Sequence, residues 1–268
     1  MFCASSAHEI QVQNEESVMN LIRFNTDIGQ QKPENIIHSD AECPFCDVEH
    51  LTDIIETDGD IILLKNKYNV IETADQFVII EGKDCYADMP SYSGEHMHRL
   101  IRLGLRHWKE MLSSGKYSDV LFFKNYGPLS GGTIRHPHMQ LIGFPEINGD
   151  LFFLPEEMQG LVIDRTEHVE LNISTYPRIG FGELNIVPEI DSNPDILADY
   201  IQIAVDYLMN HFNKRCNSYN IFFYHKGEQI YVKLLPRFAT SPYFIGYNIH
   251  LLPSNVERIA EEMKRLYF

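Results

Sequence analysis

Two stretches of this chain predict the same order of secondary-structure elements, and this repetition limits the folds that the sequence can adopt. Each stretch has two strand-like apolar segments, then an amphipathic helix, then two more strands. The pairs Phe122-Phe123 and Phe222-Phe223, in corresponding strands, lie one hundred positions apart. The shared order and offset favour an internal duplication. Chance is the alternative, because strand–helix–strand–strand is a common arrangement.

The predicted elements follow from apolar periodicity and from turn and capping residues. In the first stretch, strands are predicted at 61–64, 77–80, 120–123 and 138–144, with a helix over 93–113. In the second, strands are predicted at 161–163, 169–173, 219–224 and 229–235, with a helix that Asn193-Pro194 begins. A last helix is predicted from Ser254, where Ser254 and Glu257 form a capping-box pattern.

The charge and the apolar pattern exclude two classes of partner. The net charge of −16 argues against a nucleic acid polymer, because neutralising phosphates requires clustered Lys and Arg. A small anionic ligand stays compatible, since one pocket can be positive on an acidic protein. No apolar run reaches the roughly 20 residues that span a bilayer, and residues 1–14 do not resemble a signal peptide. We therefore expect a cytoplasmic protein with no membrane partner.

The spacing of Cys43 and Cys46 is that of a zinc knuckle. A redox pair or two buried thiols are the alternatives. Redox pairs usually open a helix after a strand, whereas the acidic segment 39–42 precedes this motif. A closed zinc site needs two further ligands. The odd total of five cysteines and the expected compartment predict reduced thiols at Cys3, Cys85 and Cys216.

The segment His136-Pro137-His138-Met139-Gln140 follows a glycine-rich turn over 126–133. Proline holds the preceding residue extended, and alternate side chains of an extended segment share a face. His136, His138 and Gln140 are therefore expected on one face, next to backbone N–H groups that can surround an anion. The pattern favours a histidine nucleophile directed at a phosphorus atom. An ordinary surface turn with two histidines is the alternative.

Together, the cysteine pair and the histidine motif resemble the galactose-1-phosphate uridylyltransferase branch of the histidine triad superfamily. The resemblance implies an α+β fold of two fused histidine-triad-like halves, each an antiparallel β-sheet with a packed helix. Residues 1–150 would form the catalytic half with the zinc site, and residues 151–268 a second half without the triad. Tyr231 and Lys233 stand where the galactose enzymes place a second metal, so only one metal is expected.

The resemblance also implies the ligands of the metal. Zn²⁺ would be held by Cys43, Cys46, His96 and His136, with His98 and Cys85 as rivals of His96. Four protein ligands leave no open position, which makes the expected role structural.

For catalysis, the resemblance implies that His138 attacks the α-phosphorus and carries the nucleotidyl group covalently, giving ping-pong kinetics. The backbone carbonyl of His136 would accept from the other ring nitrogen and fix the tautomer. Gln140 stands where related hydrolases have a third histidine. An amide cannot act as a general acid, so Gln140 favours transfer between phosphates over hydrolysis.

The remaining expectations concern substrates and partners. Substrate contacts are expected, beside Gln140, from Asn66, Asn125, Ser130, Gly132 and Thr133, although the loop residues are also common turn formers. The implied activity is nucleotidyl transfer from a nucleotide sugar or related diphosphate to a sugar 1-phosphate or phosphate. A phosphorylase or hydrolase of dinucleoside polyphosphates or nucleotide sugars, and a non-catalytic nucleotide-binding protein, are the alternatives. Relatives form dimers with shared sites, so a homodimer is also expected. Pro242 and Asn248 replace a lysine and a glutamate of the galactose enzymes, which argues against galactose.

Overall fold

A computed structural model describes residues 21–38, 40–147, 149 and 153–268. The segment 1–14, on which the expectation about export depends, lies outside the described residues, as does Cys3. Within the described part of the chain, no helix combines the length and the apolar character needed to cross a bilayer.

The elements occur in the predicted order in each half. The first half contains α1 (Thr26–Gln31), β1 (Ile54–Asp58), β2 (Ile61–Lys65), β3 (Asp75–Ile80), α2 (Gly94–Ser113), β4 (Asp119–Tyr126) and β5 (His138–Phe144). The second contains β6 (Gly160–Arg165), β7 (Val169–Ser174), β8 (Leu184–Pro188), α3 (Pro194–Asp206) with a π-helical turn (Tyr207–Phe212), β9 (Tyr219–Lys226), β10 (Gln229–Pro236), α4 (Pro242–Tyr247) and α5 (Val256–Tyr267). Every predicted strand and long helix corresponds to one of these elements, whereas β1, β8, α1 and α4 were not predicted.

Among the described residues, ten strands form one antiparallel sheet in the order β1-β2-β3-β5-β4-β9-β10-β8-β7-β6. Read inward from either edge, the order is the same: three consecutive strands, then the fifth strand of that half, then the fourth. Strands β4 and β9 meet at the centre and join the halves. The predicted α+β fold of two similar halves is confirmed.

The register at the centre corrects the offset inferred from the phenylalanine pairs. Phe122 lies directly opposite Phe223, with ring centroids 4.2 Å apart, and Phe123 lies opposite Phe222. Directly opposite residues share a face, and successive residues alternate between faces. Phe122 and Phe222 therefore point to opposite faces, so an offset of one hundred does not relate equivalent side chains. The two halves repeat one topology, but the structural offset between equivalent positions in these strands is an odd number.

Helices α2 and α3 pack on one face of the sheet and bury its main apolar core, including Trp108. Their starts agree with the prediction: the side chain of Ser93 accepts from the His96 N–H, and that of Asn193 from the Asp195 N–H. The prediction of a capping box at Ser254 was wrong. Helix α5 begins one residue too late for it, with Asn255 at the N-cap and no side-chain hydrogen bond there.

In the second half, the opposite face of the sheet carries a buried ion pair. The Lys233 ammonium group lies 3.0 Å from the Glu183 carboxylate and donates to Asn185 Oδ1 at 2.9 Å and to the Glu157 carbonyl at 2.8 Å. Lys233 and Glu183 are both fully buried. Burial lowers the pKa of Lys233, opposed by the neighbouring Glu183 carboxylate. The Lys233–Glu183 pair thus occupies the face of the second half that corresponds to the face carrying the histidine motif in the first half.

We expect Lys233→Met to lower the free energy of unfolding by about 3–5 kcal/mol, because it leaves the buried Glu183 carboxylate without its cation. Urea denaturation measures this loss. Lys214→Met, at an exposed lysine, is the matched control and should change stability by no more than about 0.5 kcal/mol. Equal stability of the two variants would contradict the assigned role of the ion pair.

Candidate active site and metal centre

A cavity of about 360 Å³ lies on the face of the first half that α2 does not cover. Its floor is formed by alternate residues of four strands: Leu64 of β2, Val78 of β3, Gln140 of β5, and Phe123 and Asn125 of β4. Loops supply the walls, from the segments 32–33, 44–52, 65–68 and 131–134. The glycine-rich turn and the histidine motif therefore meet at one cavity, as the sequence predicted.

His138 lies at the start of β5, is 6% exposed and borders this cavity. Its Nδ1 lies 2.8 Å from the His136 carbonyl oxygen. Because a carbonyl only accepts, Nδ1 carries the hydrogen and Nε2 keeps a free lone pair. Burial lowers the pKa of His138 to about 4, although the hydrogen bond to the carbonyl opposes this effect. The imidazole is therefore neutral at pH 7 and is nucleophilic at Nε2.

Most predicted substrate contacts border the cavity, and one does not. Gln140, Asn66, Asn125, Gly132 and Thr133 all line it. Ser130 lies outside the lining: its hydroxyl is buried, donates to the Gly127 carbonyl at 2.7 Å and accepts from the Gly132 N–H at 3.2 Å. The serine hydroxyl therefore stabilises the turn that borders the cavity.

Gly127 is required where this turn leaves β4. Its φ is +81°, and a Cβ there would lie 2.1 Å from the carbonyl oxygen of Asn217. Any other residue would be strained and would push the turn away from the second half. The glycine thus allows the loop to rest directly on the neighbouring strand region.

Lysines outnumber acidic residues among the side chains that line the cavity. Lys32, Lys65 and Lys67 line it, whereas Asp47 is the acidic residue among its lining side chains in the described part of the chain. Lys32 is half-buried, and burial lowers its pKa. A locally positive cavity on a chain of net charge −16 suits a phosphate-bearing ligand.

We expect Lys32→Met to weaken binding of ADP or UDP about tenfold, because a charge-assisted hydrogen bond contributes about 1.5–3 kcal/mol. Isothermal titration calorimetry measures the change. Lys83→Met, at an exposed lysine outside the cavity lining, should bind like the wild type. Loss of affinity in Lys83→Met but not in Lys32→Met would contradict the assignment.

Next to the cavity, Cys43, Cys46, Cys85 and His136 form a cluster whose sulfur and nitrogen atoms lie within 4.8 Å of one another. His136 Nδ1 is 3.7 Å from Cys43 Sγ and 3.5 Å from Cys46 Sγ. Its Nε2 donates to the Gly82 carbonyl at 2.7 Å, which leaves the Nδ1 lone pair facing the thiols. Three thiolates and one imidazole form a donor set that fits a structural Zn²⁺.

The fourth member of this cluster is Cys85, and His96, the ligand expected from the resemblance, lies outside it. His96 Nε2 bonds to the Glu81 carbonyl at 2.6 Å, and its Nδ1 faces Asp60 at 3.7 Å. His98, the other rival, is directed at Asp199 at 2.7 Å. Both histidines are held by partners of their own, whereas the loop before α2 brings Cys85 to the other two thiols.

Comparison with known proteins places both halves in one family. Residues 24–147 match the "Domain of unknown function (DUF4931) N-terminal domain", and residues 151–268 match the "Domain of unknown function (DUF4931) C-terminal domain". The chain belongs to the DUF4931 family. A DUF4931 family protein of known structure from Bacillus cereus is 40% identical, with a TM-score of 0.73, covering 80% of this chain and 98% of that chain.

More distant structures share the DUF4931 fold. A uridylyltransferase is 14% identical with a TM-score of 0.67, covering 84% of this chain and 91% of its own. An ADP-glucose phosphorylase from Arabidopsis thaliana, with bound ADP-glucose, is 15% identical with a TM-score of 0.66, covering 85% and 92%. No curated protein shows significant similarity to the chain. The predicted resemblance to the uridylyltransferase-like branch is confirmed at the level of the fold.

Proposed function

We propose that this DUF4931 protein is a nucleotidyltransferase that carries a nucleoside monophosphate covalently on His138. The observation that carries the proposal is the state of that imidazole. It is neutral, its Nδ1 is fixed by the His136 carbonyl, and it borders a cavity lined by lysines, amides and a glycine-rich loop. These groups match the needs of a nucleophile that attacks a phosphate ester.

In the proposed reaction, the Nε2 lone pair of His138 attacks the α-phosphorus of a nucleotide sugar or related nucleoside diphosphate. An N–P bond forms, the bond from the α-phosphorus to the bridging oxygen breaks, and a sugar 1-phosphate or phosphate leaves with that electron pair. The positive charge that develops on the ring is stabilised through Nδ1–H and the His136 carbonyl. A second phosphate then attacks the same phosphorus, accepts the nucleotidyl group and restores the neutral imidazole.

Gln140 supports transfer over hydrolysis. It lies on the same strand face as His138 and lines the cavity. Its amide can donate to a phosphate oxygen but cannot deliver a proton to a leaving group. A phosphate leaving group needs little protonation, whereas an amine or alkoxide would need an acid. The acceptor is therefore proposed to be a sugar 1-phosphate or inorganic phosphate.

Zn²⁺ would be held by Cys43, Cys46, Cys85 and His136, and its four protein ligands would make it a structural ion. His136 connects this cluster of metal-binding side chains to the nucleophile. Its ring belongs to the metal cluster while its backbone carbonyl orients His138. Bracing His136 therefore fixes the tautomer and direction of the nucleophile.

Incubation with UDP-sugars and ADP-sugars labelled at the α-phosphate tests the proposal. The expected result is protein-bound label that is labile in acid, maps to His138 and is released by added phosphate or sugar 1-phosphate. Steady release of free nucleotide without an acceptor would instead indicate hydrolysis. Bound but unmodified nucleotide would indicate a binding protein. Either of these two results overturns the proposal.

A further inference from the structure

Two side chains of the second half extend into the surroundings of the cavity in the first. Asn220 of β9 lies directly opposite Asn125 of β4, on the same face of the sheet, and is 1% exposed. Its Nδ2 donates to Asn125 Oδ1 at 2.6 Å and to the Ser130 carbonyl at 3.0 Å. Arg237, just after β10, donates from Nη1 to Asn220 Oδ1 at 2.6 Å. These contacts form a chain from Arg237 through Asn220 to the cavity residue Asn125.

This series of hydrogen bonds satisfies every donor and acceptor in only one orientation of the amide groups. The Ser130 carbonyl can only accept, so it must face the NH₂ group of Asn220. The Arg237 guanidinium can only donate, so it must face the Asn220 oxygen. One hydrogen of the Asn220 NH₂ group is used by Ser130, and the other is directed at Asn125. The polarity of Asn220 is therefore fixed by its neighbours, although amide oxygen and nitrogen are otherwise nearly equivalent in shape.

The fixed polarity of Asn220 determines the direction of the next amide. Asn125 must turn its oxygen toward Asn220, which leaves its NH₂ group on the other side. Asn125 borders the cavity, so this NH₂ group is available to a ligand there. With the opposite rotamer, Asn125 would present an oxygen and repel a phosphate. An asparagine without a fixed partner populates both orientations, so pre-orientation increases the affinity for anions.

We propose that Asn220 and Arg237 are positioning residues, which hold the Asn125 amide as a hydrogen-bond donor for the phosphate of the ligand. The inference rests on the proposed function for the identity of the ligand. It assigns the half without the histidine motif a part in anion recognition that acts through Asn125. The same half also holds the loop, because Ser218 Oγ accepts from the Leu129 N–H at 3.0 Å. Positioning and loop support are separable by experiment, since only positioning acts through the Asn125 side chain.

Asn220→Asp tests the proposal with a change of nearly equal shape. The carboxylate still accepts from Arg237, whose guanidinium offsets its charge, but it can donate neither to Asn125 nor to the Ser130 carbonyl. Asn125 then turns its NH₂ group toward the carboxylate and its oxygen toward the cavity. We expect the Kd for ADP or UDP, measured by calorimetry on the full chain, to rise about tenfold or more, as for a lost charge-assisted hydrogen bond.

A double-mutant cycle separates positioning from mere structural support. In an Asn125→Ala background, Asn220→Asp should raise the Kd clearly less than in the wild-type background, because the effect through the Asn125 side chain is gone and only the lost hydrogen bond to the Ser130 carbonyl remains. An equal loss of affinity in both backgrounds would overturn the proposal. Arg237→Met, with Arg237→Lys as the conservative rescue, provides the same test without altering Asn220 if Asn220→Asp fails to fold. Affinity near that of the wild type in Arg237→Met would also overturn it.

Failure of the positioning role can be distinguished from failure of the proposed covalent transfer. Wild-type protein that binds ADP or UDP without forming labelled His138, but shows the expected cycle, would refute covalent transfer and retain the positioning role. Labelled His138 with an additive cycle would do the reverse.

Discussion

His138→Asn is expected to reduce formation of the labelled protein and turnover by about 10⁴-fold or more, since loss of a covalent nucleophile has effects of this size. Asparagine is chosen because its NH₂ group can still donate to the His136 carbonyl, which accepts from Nδ1 in the native protein. The buried carbonyl therefore keeps a partner, and the fold should be preserved. Single-turnover labelling measures the first step, and circular dichroism with thermal melting verifies the fold.

His168→Asn is the matched control, because this histidine is exposed and lies in the second half. It should form labelled protein at the wild-type rate. Binding of ADP or UDP should persist in His138→Asn, since lysines, amides and loop N–H groups are unchanged. Retention of more than a tenth of the label in a folded His138→Asn protein would show that another residue is the nucleophile, on the scale expected for such a loss.

Cys85→Ser is expected to abolish stoichiometric zinc binding and to lower the melting temperature by about 10 °C. The physical reason is that metal affinity of a closed site contributes directly to folding free energy, and each kcal/mol shifts a chain of this size by about 2–4 °C. Metal analysis and differential scanning calorimetry of the purified protein measure both effects. Treatment of the wild type with a strong chelator should produce the same shift.

Two matched variants show which ligand set is correct. Cys216→Ser removes a buried thiol that lies outside the cluster, and it should keep the zinc. His96→Gln should also keep the zinc, because His96 is bonded to the Glu81 carbonyl and is not among the clustered donors. Zinc lost in His96→Gln but retained in Cys85→Ser would favour the ligand set expected from the sequence resemblance.

The order of elements was predictable because each long helix and buried strand carries its own periodic signal. Helix starts at Ser93 and Asn193 were predictable for the same reason, since caps are local. Strand β1 was missed because it is an edge strand with mostly exposed side chains, so it has no clear alternation. The offset of one hundred between the phenylalanine pairs was wrong, because a shift of one residue moves every side chain of a strand to the other face of the sheet. Two adjacent phenylalanines do not show which of them faces the core.

The site was predictable where its residues share one strand or turn, and less so where distant segments meet. His138, Gln140 and Asn125 follow from two neighbouring strands. The choice between His96 and Cys85 depended on the directions of side chains in a loop. The contribution of Lys32, and the contacts of Asn220 and Arg237, depended on tertiary packing. The zinc ion, the covalent step, the homodimer and the cytoplasmic location stay predictions.

The hydrogen-bonded junction of β4 with β9 makes each half of the protein depend on the other. Removal of either half would leave β4 or β9 without its central neighbour, and removal of the second half would also take away the Ser218 hydroxyl that accepts from the Leu129 N–H of the glycine-rich turn. Inactivating substitutions should therefore be scattered through the carboxy-terminal portion as well as around the histidines. A genetic screen for loss of function should therefore recover substitutions in both halves.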